Sequence, residues 1–304
     1  MFADTHTILH KAYKGTYAVP HFNINNMEIV QGVVQAAVNM KSPVILATSE
    51  GAIKYAGMNF LYSLAETASD LVKIPVALHI DHGRDIDVIK KAIRLGYSSV
   101  MFDGSHLSYK ENVRTTRKLA NYAHSKGVSV EAELGTIGGT EDTVSAKKIL
   151  YTDPVQAKEF VEKTGCDFLA VAIGTSHGAY KFRGKAKLRM DLLEEINKVV
   201  KKPLVLHGAS GVPASVVRQA ERYGANLKGV IGVPDTQIKK AIAHGITKIN
   251  TDTDLRLSFD AAVRKFLATN KKDFDPRHIL GPAREKIRET AEQRIRIFGS
   301  RGKA

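Results

Sequence analysis

The sequence predicts a (β/α)₈ barrel, the TIM-barrel class of α/β fold, with an extra C-terminal helical segment. Three observations carry this expectation. Short apolar runs alternate with helical patterns along the whole chain, the runs number eight, and every run closes on a polar or ionisable residue. Eight β-then-α units within about 270 residues fit a closed barrel better than an open doubly wound sheet. The glycine fingerprint of dinucleotide-binding open sheets, G-x-G-x-x-G, does not occur.

The strand candidates are residues 17–24, 43–49, 76–81, 98–103, 129–134, 168–174, 204–207 and 246–250. Most are unbroken apolar stretches, as expected of strands buried on both faces. Helical patterns fill 28–40, 86–95, 109–125, 154–163, 188–200 and 214–223. In 86–95, for example, Ile86, Ile89 and Ile93 recur on one face. Asp153-Pro154 reads as a helix start, a capping carboxylate before a proline at the first helical position. A helical tail is expected at 282–298. The stretch 228–243, with Gly229, Gly232 and Pro234, reads as an insert that shapes the rim or an oligomer contact. No linker or composition break interrupts the chain, so one catalytic domain is expected over 1–304.

Composition narrows the function classes. A length of 304 residues with a 43% hydrophobic fraction is ordinary for a globular protein. No apolar run is long enough for a transmembrane helix, so no membrane association is expected. No basic-then-apolar leader opens the chain. The lone cysteine, Cys166, cannot form an intramolecular disulfide, which points to a reducing cytoplasm. The net charge of +14 is spread along the chain without a nucleic-acid-binding motif. It reads as a lysine-rich surface that attracts phosphorylated metabolites, with no nucleic-acid partner.

In a barrel of this kind the active site lies at the C-terminal ends of the strands. The first strand runs into Asn23 and the second into Ser49; the third ends at Asp81-His82, the fourth at Asp103 and the fifth at Glu133. The sixth runs out through Gly174 to His177, the seventh ends at His207-Gly208, and the eighth at Asn250-Thr251-Asp252. His82, His177 and His207, brought together from three strands, suit a catalytic zinc, which takes neutral imidazoles and keeps a position open for substrate. His6, His10, His21, His106, His124, His244 and His278 read as surface or hydrogen-bonded core residues. Glycines and small hydroxyl residues follow the last three strands, at Gly174–Gly178, Gly208–Gly211 and Asn250–Thr253. Such loops let a backbone approach phosphate oxygens closely.

At these residues the chain resembles the class II, metal-dependent fructose-1,6-bisphosphate aldolases, in particular their shorter bacterial branch. The motifs are Tyr17-Ala-Val-Pro-His-Phe-Asn23, Leu78-His-Ile-Asp-His-Gly83, Val130-Glu-Ala-Glu-Leu-Gly135, Ala172-Ile-Gly-Thr-Ser-His-Gly178, Leu204-Val-Leu-His-Gly-Ala-Ser-Gly211 and Lys248-Ile-Asn-Thr-Asp-Thr-Asp-Leu-Arg256. The resemblance implies reversible cleavage of D-fructose 1,6-bisphosphate to dihydroxyacetone phosphate and glyceraldehyde 3-phosphate through a zinc-stabilised enediolate. It makes His82, His177 and His207 the zinc ligands, with Asp103 and Glu133 orienting the site or binding metal in an alternate position. It makes Asp81 the acid/base at the C4 hydroxyl, and Glu141 a mobile-loop carboxylate that deprotonates dihydroxyacetone phosphate. Gly178, Lys181, Gly208, Ser210, Asn250, Asp252 and Thr253 match binders of the ketose phosphate, with a monovalent cation (Na⁺ or K⁺) often beside it. Ser49 and Arg256 match contacts to the aldehyde half. Arg277 matches an arginine that enters a neighbouring subunit's site, which implies a homodimer or homotetramer with shared active sites.

The chemistry agrees with the resemblance. Retro-aldol cleavage leaves negative charge on the ketose half, which a Lewis-acidic metal stabilises. A lysine Schiff base is the other common solution, but the one lysine near a strand end, Lys248, has neighbours that match the metal family. The alternative within the family is tagatose-1,6-bisphosphate aldolase. Its relatives tend to carry a different residue where Asp252 stands, and often a second histidine where Gly83 stands. A catalytically silent barrel acting as a binding protein is the alternative from another class, and the intact His82, His177, His207, Asp81 and Glu141 set argues against it.

Overall fold

The structure, a computed structural model, describes residues 1–141, 144–146, 149–178, 187–227 and 229–304, with backbone alone at 140–141 and 144–146. In chain order the elements are α1 (Thr5–Gly15), β1 (Val19–Asn23), α2 (Met27–Met40), β2 (Val44–Ser49), α3 (Glu50–Ala56), α4 (Met58–Asp70), β3 (Val76–Gly83), α5 (Ile86–Leu95), β4 (Ser99–Phe102), α6 (Tyr109–His124) and β5 (Ser129–Leu134). There follow β6 (Gly138–Glu141), β7 (Val144–Ala146), α7 (Pro154–Thr164), β8 (Phe168–Val171), β9 (Ser176–His177), α8 (Met190–Val200), β10 (Leu204–Leu206), α9 (Ala214–Arg222), α10 (Asp235–Ala243), β11 (Ile246–Thr251), α11 (Thr253–Thr269) and α12 (Pro276–Phe298).

Eight strands close into a parallel barrel in the order β1-β11-β10-β8-β5-β4-β3-β2. These are the eight runs expected from the sequence. Their residues are buried throughout, which explains why they carry apolar runs in place of alternation. Two core layers wrap the outside, between strands and helices: one around Phe22, Val33, Leu78 and Ile287, the other around Phe160, Leu193, Leu206 and Ile249.

A third cluster fills the barrel's lower interior. Val19, Ile45, Ala77, Met101, Phe168 and Val205 point inward there, and Ile8, Leu9 and Ala12 of α1 plug the opening. This helix precedes β1, where the sequence pattern marks none. Asp4 starts α1 by accepting from the His6 and Thr7 amides, and Thr16 ends it in a left-handed turn. The N-terminal end of the barrel is thereby sealed with apolar side chains, and polar groups are left for the opposite end.

Three expectations change. The tail helix begins at Pro276, six residues before Pro282, because Asp275 caps it and Pro276 takes the first helical position. Pro282 sits inside the helix. The sixth barrel strand stops at Val171, three residues short of Gly174. Ala172 turns from the barrel ladder to Thr152, whose Oγ1 accepts its amide at 2.8 Å. The chain then peels away to form β9, the edge of a small sheet ordered β7-β6-β9.

The third change concerns 228–243, whose residue 228 lies outside the described residues. Its α10 is not an insert on the rim. It packs against β11, α8 and α12, as the helix that covers the barrel between its seventh and eighth strands. Gly232 lets this segment lie on the loop after β10, since a Cβ there would come within 2.2 Å of the Gly211 carbonyl carbon.

Cys166 is fully buried, and burial pushes its thiol up to about 11, so it behaves as a small hydrophobe. Among the described residues no helix is long and apolar enough to cross a membrane.

Candidate metal centre and active site

Asp81 and His82 are consecutive on β3, so a regular strand would send them to opposite faces. The register against β4 shifts between Ile80 and Gly83. His82 itself takes φ +48°, a left-handed conformation that costs a non-glycine residue about 1–3 kcal/mol. Such a bulge re-aims a side chain. Here it brings both residues to the barrel mouth.

His207, just beyond β10, meets them. Its Nδ1 lies 2.8 Å from His82 Nε2 and 3.9 Å from Asp81 Oδ1. The His82 ring also stands edge-on to His207 and to His177, at centroid separations of 4.5 and 4.8 Å. The position of His177 is set by glycine. Gly208 (φ +60°) and Gly139 (φ +90°) press against β9, where a Cβ would come within 2.7 Å of the Ser176 carbonyl oxygen and 2.4 Å of the His177 carbonyl oxygen, respectively.

Among the described residues, three groups of His, Asp and Glu bring donor atoms within 4.8 Å of one another: Asp81 with His82 and His207, His82 with Asp103 and Glu133, and His21 with His79 and Asp81. All are buried. The first two share His82 and face the mouth. His82 Nδ1 is 3.6 Å from Asp103 Oδ2 and 3.8 Å from Glu133 Oε2. His82 Nδ1 and Glu133 Oε2 have no hydrogen-bond partner among the described residues, so a cation would satisfy both. The third group sits deeper, beside Lys248. Burial and then the Lys248 charge pull His21 and His79 well below the ordinary histidine range, and that same charge opposes a cation there.

The electrostatics of the upper two groups favour a dication. Burial opposes charge on His82, but Asp81, Asp103 and Glu133 outweigh it and hold its pKa up at about 10. Burial and the neighbouring Asp103 push Glu133 up to about 8. For Asp103, burial is outweighed by His82 standing 3.6 Å away, by hydrogen bonds from Ser105 and by the charges of His82 and Arg84, so it stays below the usual carboxylate range. Burial and the His82 charge keep His207 neutral, the form in which imidazole binds metal. The pocket thus concentrates negative charge around one imidazole, and a divalent ion answers that charge better than a proton does.

The other expected residues distribute as follows. Asp81 is held by two amides, Asn23 Nδ2 at 2.8 Å and Asn250 Nδ2 at 2.9 Å. Ser49 caps α3 by accepting from the Ala52 amide at 3.1 Å. Two residues further on, Gly51 lines a cavity of about 490 Å³ with Asn25, Tyr55, Arg256 and Phe259. Arg256 is paired with Asp252 at 2.7 Å. Gly178 and Ser210 lie on the loops after β9 and β10, and Thr253 opens α11 just after β11. Glu141 ends β6, whose Gly138 and Gly139 pair in register with Ser176 and His177, but its side chain lies outside the described residues. Lys181 lies outside them altogether. Arg277 is largely exposed and donates to Asp275 on its own helix.

Four further residues stand at the site, and of these the sequence points only to Lys248, as a Schiff-base candidate. Arg84 holds Asp103 through two bonds of 3.0 and 2.9 Å. Asp254 accepts from the Gly211 and Val212 amides, at 3.0 and 2.6 Å, and so steadies the loop in which Val212 adopts φ +47°. Glu131 and Lys248 are fully buried in the barrel, 2.9 Å apart.

Comparisons with known proteins agree with this geometry. The sequence pattern of the family described as "Fructose-bisphosphate aldolase class-II" matches residues 3–303. The chain is 49% identical to a fructose-bisphosphate aldolase of Thermus caldophilus over 299 residues, 98% of each chain. It is 47% identical to one of Giardia intestinalis, covering 98% of this chain and 93% of the relative. Among solved structures, the YdjI aldolase of Escherichia coli K12 superposes with a TM-score of 0.83 at 35% identity over the full length of both chains. A fructose-1,6-bisphosphate aldolase of Coccidioides immitis, itself described as putative, does so at 0.79 and 28% over 99% and 97%. Match, fold and converging metal-binding side chains together establish that this chain belongs to the class II fructose-bisphosphate aldolase family.

Proposed function

We propose that this protein reversibly cleaves D-fructose 1,6-bisphosphate, with His82, His177 and His207 holding a zinc ion, and Asp81 and Glu141 as the two proton-transfer groups. Family membership makes the chain a metal-dependent lyase that performs aldol cleavage and condensation. The observation that carries the residue assignment is the convergence of His82 Nε2 and His207 Nδ1 beside Asp81. When bound, the cation supplies Lewis-acid stabilisation of the charge that cleavage leaves on the ketose half.

The residues divide the remaining work. Asn23 and Asn250 hold the Asp81 carboxylate so that it can exchange a proton with the C4 hydroxyl. Glu141, on the strand beside His177, serves the ketose carbon. Gly178, Lys181, Gly208, Ser210, Asn250, Asp252 and Thr253 receive the ketose phosphate, with a monovalent cation beside it. Ser49, which caps the helix whose Gly51 and Ala52 line the cavity, and Arg256, which lines it, receive the aldehyde half. Asp103, steadied by Arg84, and Glu133 orient His82 and offer the alternate metal position. The lone buried cysteine supports a cytoplasmic setting.

A cleavage assay on fructose and tagatose 1,6-bisphosphates, each with and without chelator, tests this. Fructose 1,6-bisphosphate should be preferred by roughly 10²-fold or more. Chelator should abolish cleavage and zinc should restore it. Chelator-resistant cleavage would remove the metal from the reaction, and a tagatose preference would replace the substrate.

Assembly follows from Arg277. Its guanidinium is exposed at the start of α12, next to Phe274, which is 91% exposed. A planar fork matches a phosphate bidentately, and we assign Arg277 to the second phosphate in a partner's site, within a homodimer or homotetramer. Arg277→Ala should lower kcat/KM for the hexose bisphosphate by about 10–100-fold, the worth of one charge-assisted hydrogen bond. Dihydroxyacetone phosphate binding should be spared. Mixing Arg277→Ala with Asp81→Ala subunits should restore part of the activity, because an intact Asp81 site then receives an intact Arg277. No restoration after demonstrated subunit exchange, or a fully active monomer by light scattering, contradicts the shared site.

A further inference from the structure

We propose that the buried Glu131–Lys248 pair is a positioning device that fixes the His207 tautomer and the Asn250 amide, and so aligns the metal ligand with the acid/base group. The proposal rests on the reading of His207 as a metal ligand.

Donor logic carries the argument. Lys248 has donors and no acceptor. Its Nζ lies 2.9 Å from Glu131 Oε2 and 2.9 Å from Asn250 Oδ1. The Asn250 carbonyl must therefore face Lys248, which turns the Asn250 NH₂ toward the mouth. That NH₂ reaches Asp81 Oδ1 at 2.9 Å and His207 Nδ1 at 3.1 Å. A donor aimed at His207 Nδ1 requires a lone pair there, so the ring hydrogen sits on Nε2. His207 Nε2 lies 2.7 Å from Glu131 Oε1, which accepts that hydrogen. Every contact around the circuit agrees with the others. The result is a His207 whose Nδ1 is unprotonated at the mouth, 2.8 Å from His82 Nε2, so that a bound cation could take the lone pair that otherwise accepts from Asn250.

Position in the fold supports the same assignment. Glu131 and Lys248 are fully buried, on the fifth and eighth barrel strands, below the residues that face the mouth. Burying two charges is costly even when they pair, and a pair of apolar residues would fill the same space. What an apolar pair lacks is the acceptor for His207 and the donor for Asn250. Carboxylate partners of metal-bound imidazoles commonly set ring orientation in this way. Neither Glu131 nor Lys248 comes within hydrogen-bond distance of Asp81, so both act through His207 and Asn250.

The test uses the zinc-loaded full chain and two double variants, E131Q/K248M and E131A/K248M. Both remove both charges, but only the glutamine keeps an oxygen for His207 Nε2–H. Zinc affinity is read by chelator competition, and the His207 tautomer by ¹⁵N chemical shifts. The wild type should show His207 protonated at Nε2. E131A/K248M should bind zinc about 10–100-fold more weakly, with the Nε2–H preference lost. E131Q/K248M should keep the tautomer and stay within about 10-fold of wild type, the threshold set by that same range. Equal zinc affinity in all three proteins would overturn the proposal. So would a wild-type His207 protonated at Nδ1, a measurement that decides the matter even if a double variant fails to fold. The underlying metal reading fails separately, if wild type and His207→Ala bind zinc equally.

Discussion

Replacing His207 with alanine should leave a folded barrel that retains little zinc and has lost at least about 10³-fold in cleavage rate. The magnitude follows from the Lewis-acid contribution, several kcal/mol, at roughly 1.4 kcal/mol per decade. His207 is fully buried, burial and the His82 charge pull it well below the ordinary histidine range, and its Nδ1 faces both His82 and Asp81. The fold should survive, because Glu131 keeps Lys248 as its ion partner when the imidazole is gone. The truncation then costs about 2–4 kcal/mol through the cavity and the lost hydrogen bond. Zinc per subunit after gel filtration in chelator, cleavage rate and a thermal melt together decide the case. Full activity in a metal-free variant would remove zinc from the mechanism. Full zinc occupancy in the variant would remove His207 from its ligands.

The mouth of the barrel was legible in the sequence because strand ends can be located there. An apolar run that stops at Asp81-His82, Asp103 or His207 marks the point where a buried strand emerges, and barrels build their sites at such points. The bulge at His82 was not legible. Two adjacent functional residues on one strand require it, yet nothing in Asp-His-Gly distinguishes a bulge from an ordinary strand end. Nor was the departure of the chain from the barrel at Ala172, which depends on a hydrogen bond to Thr152, twenty residues away. The early start of α12 was foreshadowed by Asp275-Pro276, the same signal that marks α7 at Asp153-Pro154.

The pairing of Glu131 with Lys248, a lysine that the sequence marks only as a Schiff-base candidate, was hidden for a different reason. They stand in mid-strand, where a reading of strand ends does not look, and charges inside a barrel invert the rule that puts apolar groups within. A signal existed. Strand residues two apart share a face, so Glu131 shares the face of Glu133, and Lys248 that of Asn250. Both partners were expected at the site. A charged residue two positions upstream of a functional strand end therefore points to the layer beneath it. His21 and His79 show the same layering from the first and third strands, one of them within 3.8 Å of Asp81 and the other within 3.8 Å of Glu131.

Asp81→Ala should abolish hexose cleavage while leaving proton exchange on dihydroxyacetone phosphate intact, whereas Glu141→Ala should impair that exchange. Cleavage needs a proton moved at the C4 oxygen and a second moved at the ketose carbon, which lie on opposite sides of the bond that breaks. One carboxylate cannot reach both. Asp81 is fixed by Asn23 and Asn250 in a single orientation beside His82 and His207, whereas Glu141 ends a strand that pairs alongside His177. Each group should be worth about 10²–10⁴-fold in the step it serves. Alanine is the cleaner replacement at Asp81, since asparagine would set a third amide NH₂ against two amide donors. Because Asp81 also stands among the candidate metal-binding side chains, zinc content must be measured with the kinetics. An Asp81→Ala protein with full zinc that no longer exchanges the dihydroxyacetone phosphate proton would break the division of roles. Depleted zinc together with lost exchange, restored by added metal, would make Asp81 a ligand in place of an acid/base group.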